Sequence, residues 1–175
     1  DSIMAREGVG ARSYVHIHPT SRWLFKTWDH EKFGHVIDRL AGAGKQVVLT
    51  SSPDKQELLM IDAILAKTKS EPINLCGKLN LKELAGVIES ANVFLGVDSV
   101  PMHMAAALNT PVVALFGPSD PVEWGPWCAK KIILTSELFP CRPCGIDGCG
   151  GGKRSECLSE LTVEQVMVAL EKVLQ

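Results

Sequence analysis

Four clusters of small polar and charged residues could do chemistry, and each follows a short apolar run. In Gly96-Val97-Asp98-Ser99-Val100-Pro101-Met102-His103 an apolar run ends in a polar turn and passes straight into a helix-forming stretch. Pro101 suits a first helical turn, where its missing N–H costs nothing. The amides of Ser99, Val100 and Met102 are then free to bind an anion, with the helix dipole behind them. A diphosphate fits that description. Asp98 either binds a sugar hydroxyl or fixes the turn, and the plainer alternative is that Asp98 or Ser99 only caps the helix.

The second cluster is Pro19-Thr20-Ser21-Arg22-Trp23-Leu24-Phe25-Lys26-Thr27-Trp28. Lys26 and Arg22 can neutralise phosphate, and Thr20 and Ser21 can donate hydrogen bonds to it. The alternative is a solvated basic loop with Trp28 packed as a hydrophobic staple. Neither G-x-x-x-x-G-K-[ST] nor G-x-G-x-x-G occurs, so no phosphate-loop or dinucleotide fingerprint adds support. The third cluster is Gly117-Pro118-Ser119-Asp120-Pro121, stiff turn chemistry that reads as a ligand loop or a plain one. The fourth runs from Ser51 to Glu57, where Asp54, Lys55 and Glu57 either meet a base or ribose or form a solvated helix start.

Cysteines form a separate group. Cys141, Cys144, Cys149 and Cys157 lie close in sequence, among Gly145, Gly148, Gly150, Gly151 and Gly152. Knuckle-like spacing of four thiols suits a structural zinc ion; disulfides formed in air and free thiols are the alternatives. His16 and His18 share one side of a strand, but two ligands alone are weak grounds for a metal.

The elements that must position these residues alternate in type. Apolar runs at Tyr14–His18, Val47–Thr50, Ile73–Leu75, Val93–Val97, Val112–Phe116 and Lys131–Leu134 read as strands. Between and after them, helical spacing predicts helices from Asp29 to Ala41, after Pro53, after Asn80, from Pro101 to Leu108, and after Thr162. Capping boxes are expected at Asn80–Glu83 and Thr162–Gln165. Alternating elements of this kind define an α/β fold, an open doubly wound parallel sheet, whose ligands sit beyond the C-terminal strand ends. A length of 175 residues fits one domain, 1–175.

Composition excludes several classes. The chain is 46% hydrophobic and 22% charged, which suits a globular domain and not a disordered one. A net charge of −2 argues against nucleic acid or an anionic membrane as the organising partner. The stretch Ser99–Ser119 lacks formal charge, but prolines and glycine break it into pieces too short to span a bilayer. The chain opens on Asp1 with no basic and apolar leader, so no secretory signal is expected.

Taken together, the motifs resemble glycosyltransferase family 9, the ADP-heptose lipopolysaccharide heptosyltransferases. The residues that carry the resemblance are Thr20, Ser21, Lys26 and Trp28, then Gly96-Val97-Asp98-Ser99 with Pro101-Met102-His103 and Ala105–Leu108. Pro111 and Val113–Pro121 complete it. The Cys-rich segment is similar to the heptosyltransferase III type. The resemblance implies a GT-B enzyme of two Rossmann-like halves, with this chain as the C-terminal, donor-binding half. The catalytic base, an Asp, would lie in the N-terminal half, so this half alone is expected to be inactive.

By the same resemblance, Lys26, Thr20 and Ser21 contact phosphate and Lys26 stabilises the leaving group. Asp98 contacts the heptose, and Ser99 with the helix N-terminus holds the diphosphate. Met102, His103, Ser119 and Asp120 complete the expected substrate site. A family Glu that holds the nucleoside falls near Asp54–Glu57, where this sequence departs from the pattern. No cofactor is expected beyond the structural zinc already raised. The expected partners are ADP-heptose and, through the other half, the lipopolysaccharide core. A cytoplasmic enzyme at the inner-membrane face is implied. The rivals are a non-catalytic nucleotide-binding module and a zinc-organised interaction module.

Overall fold

A computed structural model describes residues 3–175. Six strands form one parallel sheet in the order β3-β2-β1-β4-β5-β6. They are β1 (Tyr14–His18), β2 (Gln46–Leu49), β3 (Ile73–Asn74), β4 (Val93–Val97), β5 (Val112–Leu115) and β6 (Lys131–Leu134). The helices are α1 (Ile3–Arg6), α2 (His30–Gly42), α3 (Lys55–Leu65), α4 (Leu81–Glu89), α5 (Val100–Ala107), α6 (Pro121–Trp124), α7 (Glu156–Ser159) and α8 (Val163–Leu174). The expected strands and main helices are all present. The expected capping boxes at Asn80–Glu83 and Thr162–Gln165 both form, each with its reciprocal side-chain bond.

Strand parity separates two cores. Val15, Ile17, Val47, Leu49, Leu95, Val97 and Leu115 face α2, α3 and α8, whose Phe33, Ile37, Ile61 and Leu170 are buried against them. On the opposite face Phe94, Val112, Ala114 and Phe116 meet Leu84 and Ile88 of α4 and Met102 and Ala105 of α5. Strands covered on both sides need apolar residues at nearly every position, which is why β4 and β5 read as unbroken apolar runs. His16 and His18 of β1 are exceptions; His16 is fully buried and stands edge-on to Phe94, with ring centroids 5.2 Å apart.

The order reverses between β1 and β4, where successive crossovers leave in opposite directions. This switch point opens a crevice beyond the strand ends. Here His18 lies beside Gly96 in register. A Cβ on Gly96 would stand 2.6 Å from the Phe94 ring and 3.0 Å from the His18 carbonyl oxygen. Glycine therefore lets the two strands meet where both chains turn out toward the crevice.

Gly96→Ala must displace the fully buried Phe94 ring. A loss of about 1–3 kcal/mol in chemical denaturation is expected, the usual cost of overpacking. Unchanged stability would contradict this account of the β1–β4 contact.

Candidate functional site

The loop after β1 is pinned on both sides of Lys26. A single 3-10 turn, Leu24–Lys26, buries Phe25, whose carbonyl oxygen accepts the Ser155 hydroxyl at 2.6 Å. Trp28 is buried against Phe33, and its indole N–H donates to the Leu161 carbonyl at 3.1 Å. Trp28 thus packs as the staple reading expects, while the loop it anchors turns Lys26 toward the crevice. The Lys26 ammonium donates to Asp98 Oδ2 at 2.5 Å, across the switch point.

Lys26 and Asp98 were expected to serve separate parts of a ligand, yet they form one ion pair. The Asp98 side chain is 7% exposed and that of Lys26 is 21% exposed. An ammonium carries three N–H donors, so pairing with Asp98 leaves others for a ligand. Beside the pair, the Ser99 hydroxyl donates to the Val97 carbonyl at 3.2 Å and caps nothing. Among the described residues the amides of Ser99 and Val100 have no acceptor, so they point free groups at the crevice. The Met102 amide does not join them, because it donates to the Ser99 carbonyl at 3.1 Å.

The opposite wall belongs to α3. Asp54 caps this helix by accepting from Gln56 and Glu57 amides. Glu57, in the first turn, is buried and not solvated. Its Oε2 accepts from the Thr20 hydroxyl at 2.5 Å and from the Ser52 amide at 3.2 Å. Behind it runs a line of buried polar groups. Thr20 Oγ1 lies 3.3 Å from His18 Nε2, and His18 Nδ1 lies 2.9 Å from Thr50 Oγ1. Thr50 Oγ1 is also 2.6 Å from His16 Nε2. His16 and His18 therefore meet through one threonine.

Between these walls lies a cavity of about 720 Å³, within the usual range for a small-molecule site. Thr20, Ser21, Lys26, Asp98, Ser99 and His103 all line it, together with Glu57. Leu79, Leu81, Leu84 and Pro53 add an apolar wall that the sequence reading missed. The signal was present in Leu81, the first residue of a well-capped helix, which is 71% exposed where a polar residue would ordinarily stand.

Three expected site residues lie elsewhere. Met102 is fully buried in the core between α5 and the sheet and does not reach the cavity, because the helix turns that side inward. Ser119 and Asp120 line a neighbouring cavity of about 490 Å³ that shares Trp23, Lys26 and Trp124 with the first. Asp120 also caps α6 by accepting from the Val122 amide at 2.8 Å.

The four clustered cysteines form no disulfide. Among the described residues no three His, Cys, Asp or Glu side chains stand together as a metal-holding group. Cys157 is buried in α7 and Cys141 is exposed. Burial raises the Cys157 pKa; nearby Arg142 opposes that, and the thiols of Cys149 and Cys144 add to it. Other bonds hold this segment. Arg142 donates to the Gly117 and Ser136 carbonyls, and the Gly145 amide to Pro118.

The fold and the crevice define a doubly wound α/β domain with a cavity at its switch point lined by charged and hydroxyl groups. The chain belongs to glycosyltransferase family 9 (heptosyltransferase), whose family model matches residues 3–152. It is 41% identical over 162 residues to lipopolysaccharide heptosyltransferase 3 of Escherichia coli K12, covering 92% of this chain and 46% of that protein. Over 126 residues it is 48% identical to another E. coli lipopolysaccharide heptosyltransferase 3, covering 71% of this chain and 37% of that one. Among solved structures, E. coli ADP-heptose lipopolysaccharide heptosyltransferase II superimposes with a TM-score of 0.80 at 26% identity, over 98% of this chain and 49% of that one. The chain thus spans about half the length of that structure, and 37–46% of the two curated relatives.

The buried histidines make stability depend on pH. Burial pulls the His18 pKa down to about 4, although the Glu57 charge opposes this. Burial, and then the nearby His18, hold His16 well below its ordinary value of 6.5. Between about pH 4 and 6.5 the unfolded chain binds more protons than the folded one, so stability falls as pH drops through that window. For His18 alone, 6.5 minus 4 corresponds to a full loss of about 3 kcal/mol. Urea denaturation at about pH 7.5 and pH 5 should show the decline, and His18→Gln should flatten it. A pH-independent wild type would contradict the buried, neutral histidines.

Proposed function

We propose that this domain holds the nucleotide-sugar donor, ADP-heptose, of an enzyme that transfers heptose to the lipopolysaccharide core. The observation that carries this reading is the pairing of opposite chemistries across one cavity. Lys26 and the free Ser99 and Val100 amides offer donors on one side, and Glu57 offers an acceptor on the other. A nucleoside diphosphate sugar needs both, because its phosphates accept hydrogen bonds and its hydroxyls donate them. Family membership and the donor printed in the name of E. coli heptosyltransferase II support the choice of ADP-heptose.

In this reading the diphosphate lies against the first turn of α5, where the helix dipole favours negative charge. Lys26 offsets the charge that grows on the departing diphosphate, and Asp98 keeps the ammonium aimed there. Asp98 and His103 meet the sugar side. Glu57 meets the nucleoside hydroxyls, and the apolar wall of Leu79, Leu81 and Leu84 gives a base a dry surface. The acceptor sugar and the attacking base belong to the rest of a two-half enzyme, because the chain spans about half of the solved relative. Closure of a second half would exclude water and complete the site. No described helix is long and apolar enough to cross a membrane.

The chain alone should bind ADP in the high-micromolar range or weaker, about −5 to −6 kcal/mol, without transferring heptose. Lys26→Met should weaken binding by at least about tenfold, the worth of a charge-assisted contact. Calorimetry and a transfer assay check both. No binding by folded protein at millimolar ADP would refute the donor site, and heptose transfer by the chain alone would refute the two-half mechanism.

A further inference from the structure

With both imidazoles neutral, the line of buried side chains from His16 to Glu57 has one consistent placement of its protons. Glu57 Oε2 accepts from the Ser52 amide, which can only donate, and an ionised carboxylate accepts everywhere. The single Thr20 hydroxyl proton is spent on Glu57. Thr20 Oγ1 must then accept from His18 Nε2–H. A neutral imidazole with its proton on Nε2 has a bare Nδ1, so His18 accepts from the Thr50 hydroxyl. With that proton spent, Thr50 accepts from His16 Nε2–H. His16 Nδ1 is left as a bare lone pair, and it is the ring nitrogen that has no partner.

We infer that His16, Thr50, His18 and Thr20 form a one-way hydrogen-bond chain that fixes Glu57 as the cavity's hydroxyl acceptor. Four donors point in one direction, and the chain ends on a carboxylate whose second oxygen, among the described residues, accepts nothing from the protein. Aligned hydrogen bonds in a low-dielectric interior polarise one another, so each link strengthens the next. The order also explains why two buried histidines are tolerated, one of them edge-on to Phe94. An unpaired acceptor is left at the far end, where the reverse order would bury an unpaired N–H and aim the Thr20 hydroxyl away from Glu57. His16, Thr50 and His18 are thus positioning residues, acting on the ligand only through Glu57. The ligand side of this inference rests on the donor-site reading, whereas the proton order does not.

Two measurements on the whole chain separate these parts. Long-range ¹H–¹⁵N correlation NMR of ligand-free protein near pH 7.5 reads the tautomers directly. Both His16 and His18 should carry the proton on Nε2 alone. A proton on Nδ1 of either ring, or an imidazolium, would overturn the chain. The second measurement compares ADP with inorganic pyrophosphate. Thr50→Val, which keeps the shape and removes the hydroxyl, should weaken ADP about tenfold, the worth of an ordered hydrogen bond, and leave pyrophosphate unchanged. Thr50→Ser should restore ADP binding. Unchanged ADP affinity, or an equal loss for both ligands, would overturn the positioning role. If Thr50→Val does not fold, Thr50→Ala removes the same hydroxyl, which does not line the cavity, and serves the same comparison. A wild type that binds no ADP refutes the donor-site reading, and the tautomers then decide the proton order alone.

Discussion

Everything at the site depends on the parallel pairing of β1 with β4. These strands are adjacent in space but distant in sequence, and the sheet winds outward from them in both directions. Their C-terminal ends deliver the loop of Thr20 and Lys26 and the turn of Asp98 and Ser99 to the same place. Gly96 allows the close approach, and the Lys26–Asp98 pair ties the two loops together beyond the last ladder bond. The pair therefore does two jobs. It closes the floor of the crevice, and it holds a cation beside the first turn of α5 without leaving a lone buried charge on either side.

The segment from Phe139 to Ser159 strengthens that arrangement from outside. Arg142 binds the end of β5 through Gly117, and Ser155 binds the carbonyl of Phe25 next to Lys26. Arg154 pairs with Asp29 at the start of α2, at 2.9 Å. The glycine-rich cysteine segment is thereby stitched to the Lys26 loop on both sides of Lys26, at Phe25 and Asp29. Gly117 belongs to the same contact, because a Cβ there would stand 2.7 Å from Leu158 of α7.

Much of the fold was legible because its signals are local. Doubly buried strands show as apolar runs, amphipathic helices as spaced apolar residues, and capping boxes as residue pairs three apart. The four loops at the strand ends were legible for the same reason. What escaped were relations between loops. The sequence places Lys26 and Asp98 far apart and says nothing of their pairing. Glu57 looks like a solvated helix residue until Thr20 and Ser52 are seen to bury it. Met102 sits amid site residues in sequence, yet the helix turns it into the core. The cysteine spacing suggests a metal, but spacing carries no information about depth, and Cys157 is buried where Cys141 is exposed.

The claim at the centre of this account is that the β1–β4 crevice is where a nucleotide binds. The most direct measurement is a titration of the ¹⁵N-labelled chain with ADP, followed amide by amide. The account predicts saturable shifts concentrated at residues 20–26, 52–57 and 98–103. Saturable shifts centred elsewhere, on the cysteine-rich segment or around Trp127, would contradict it.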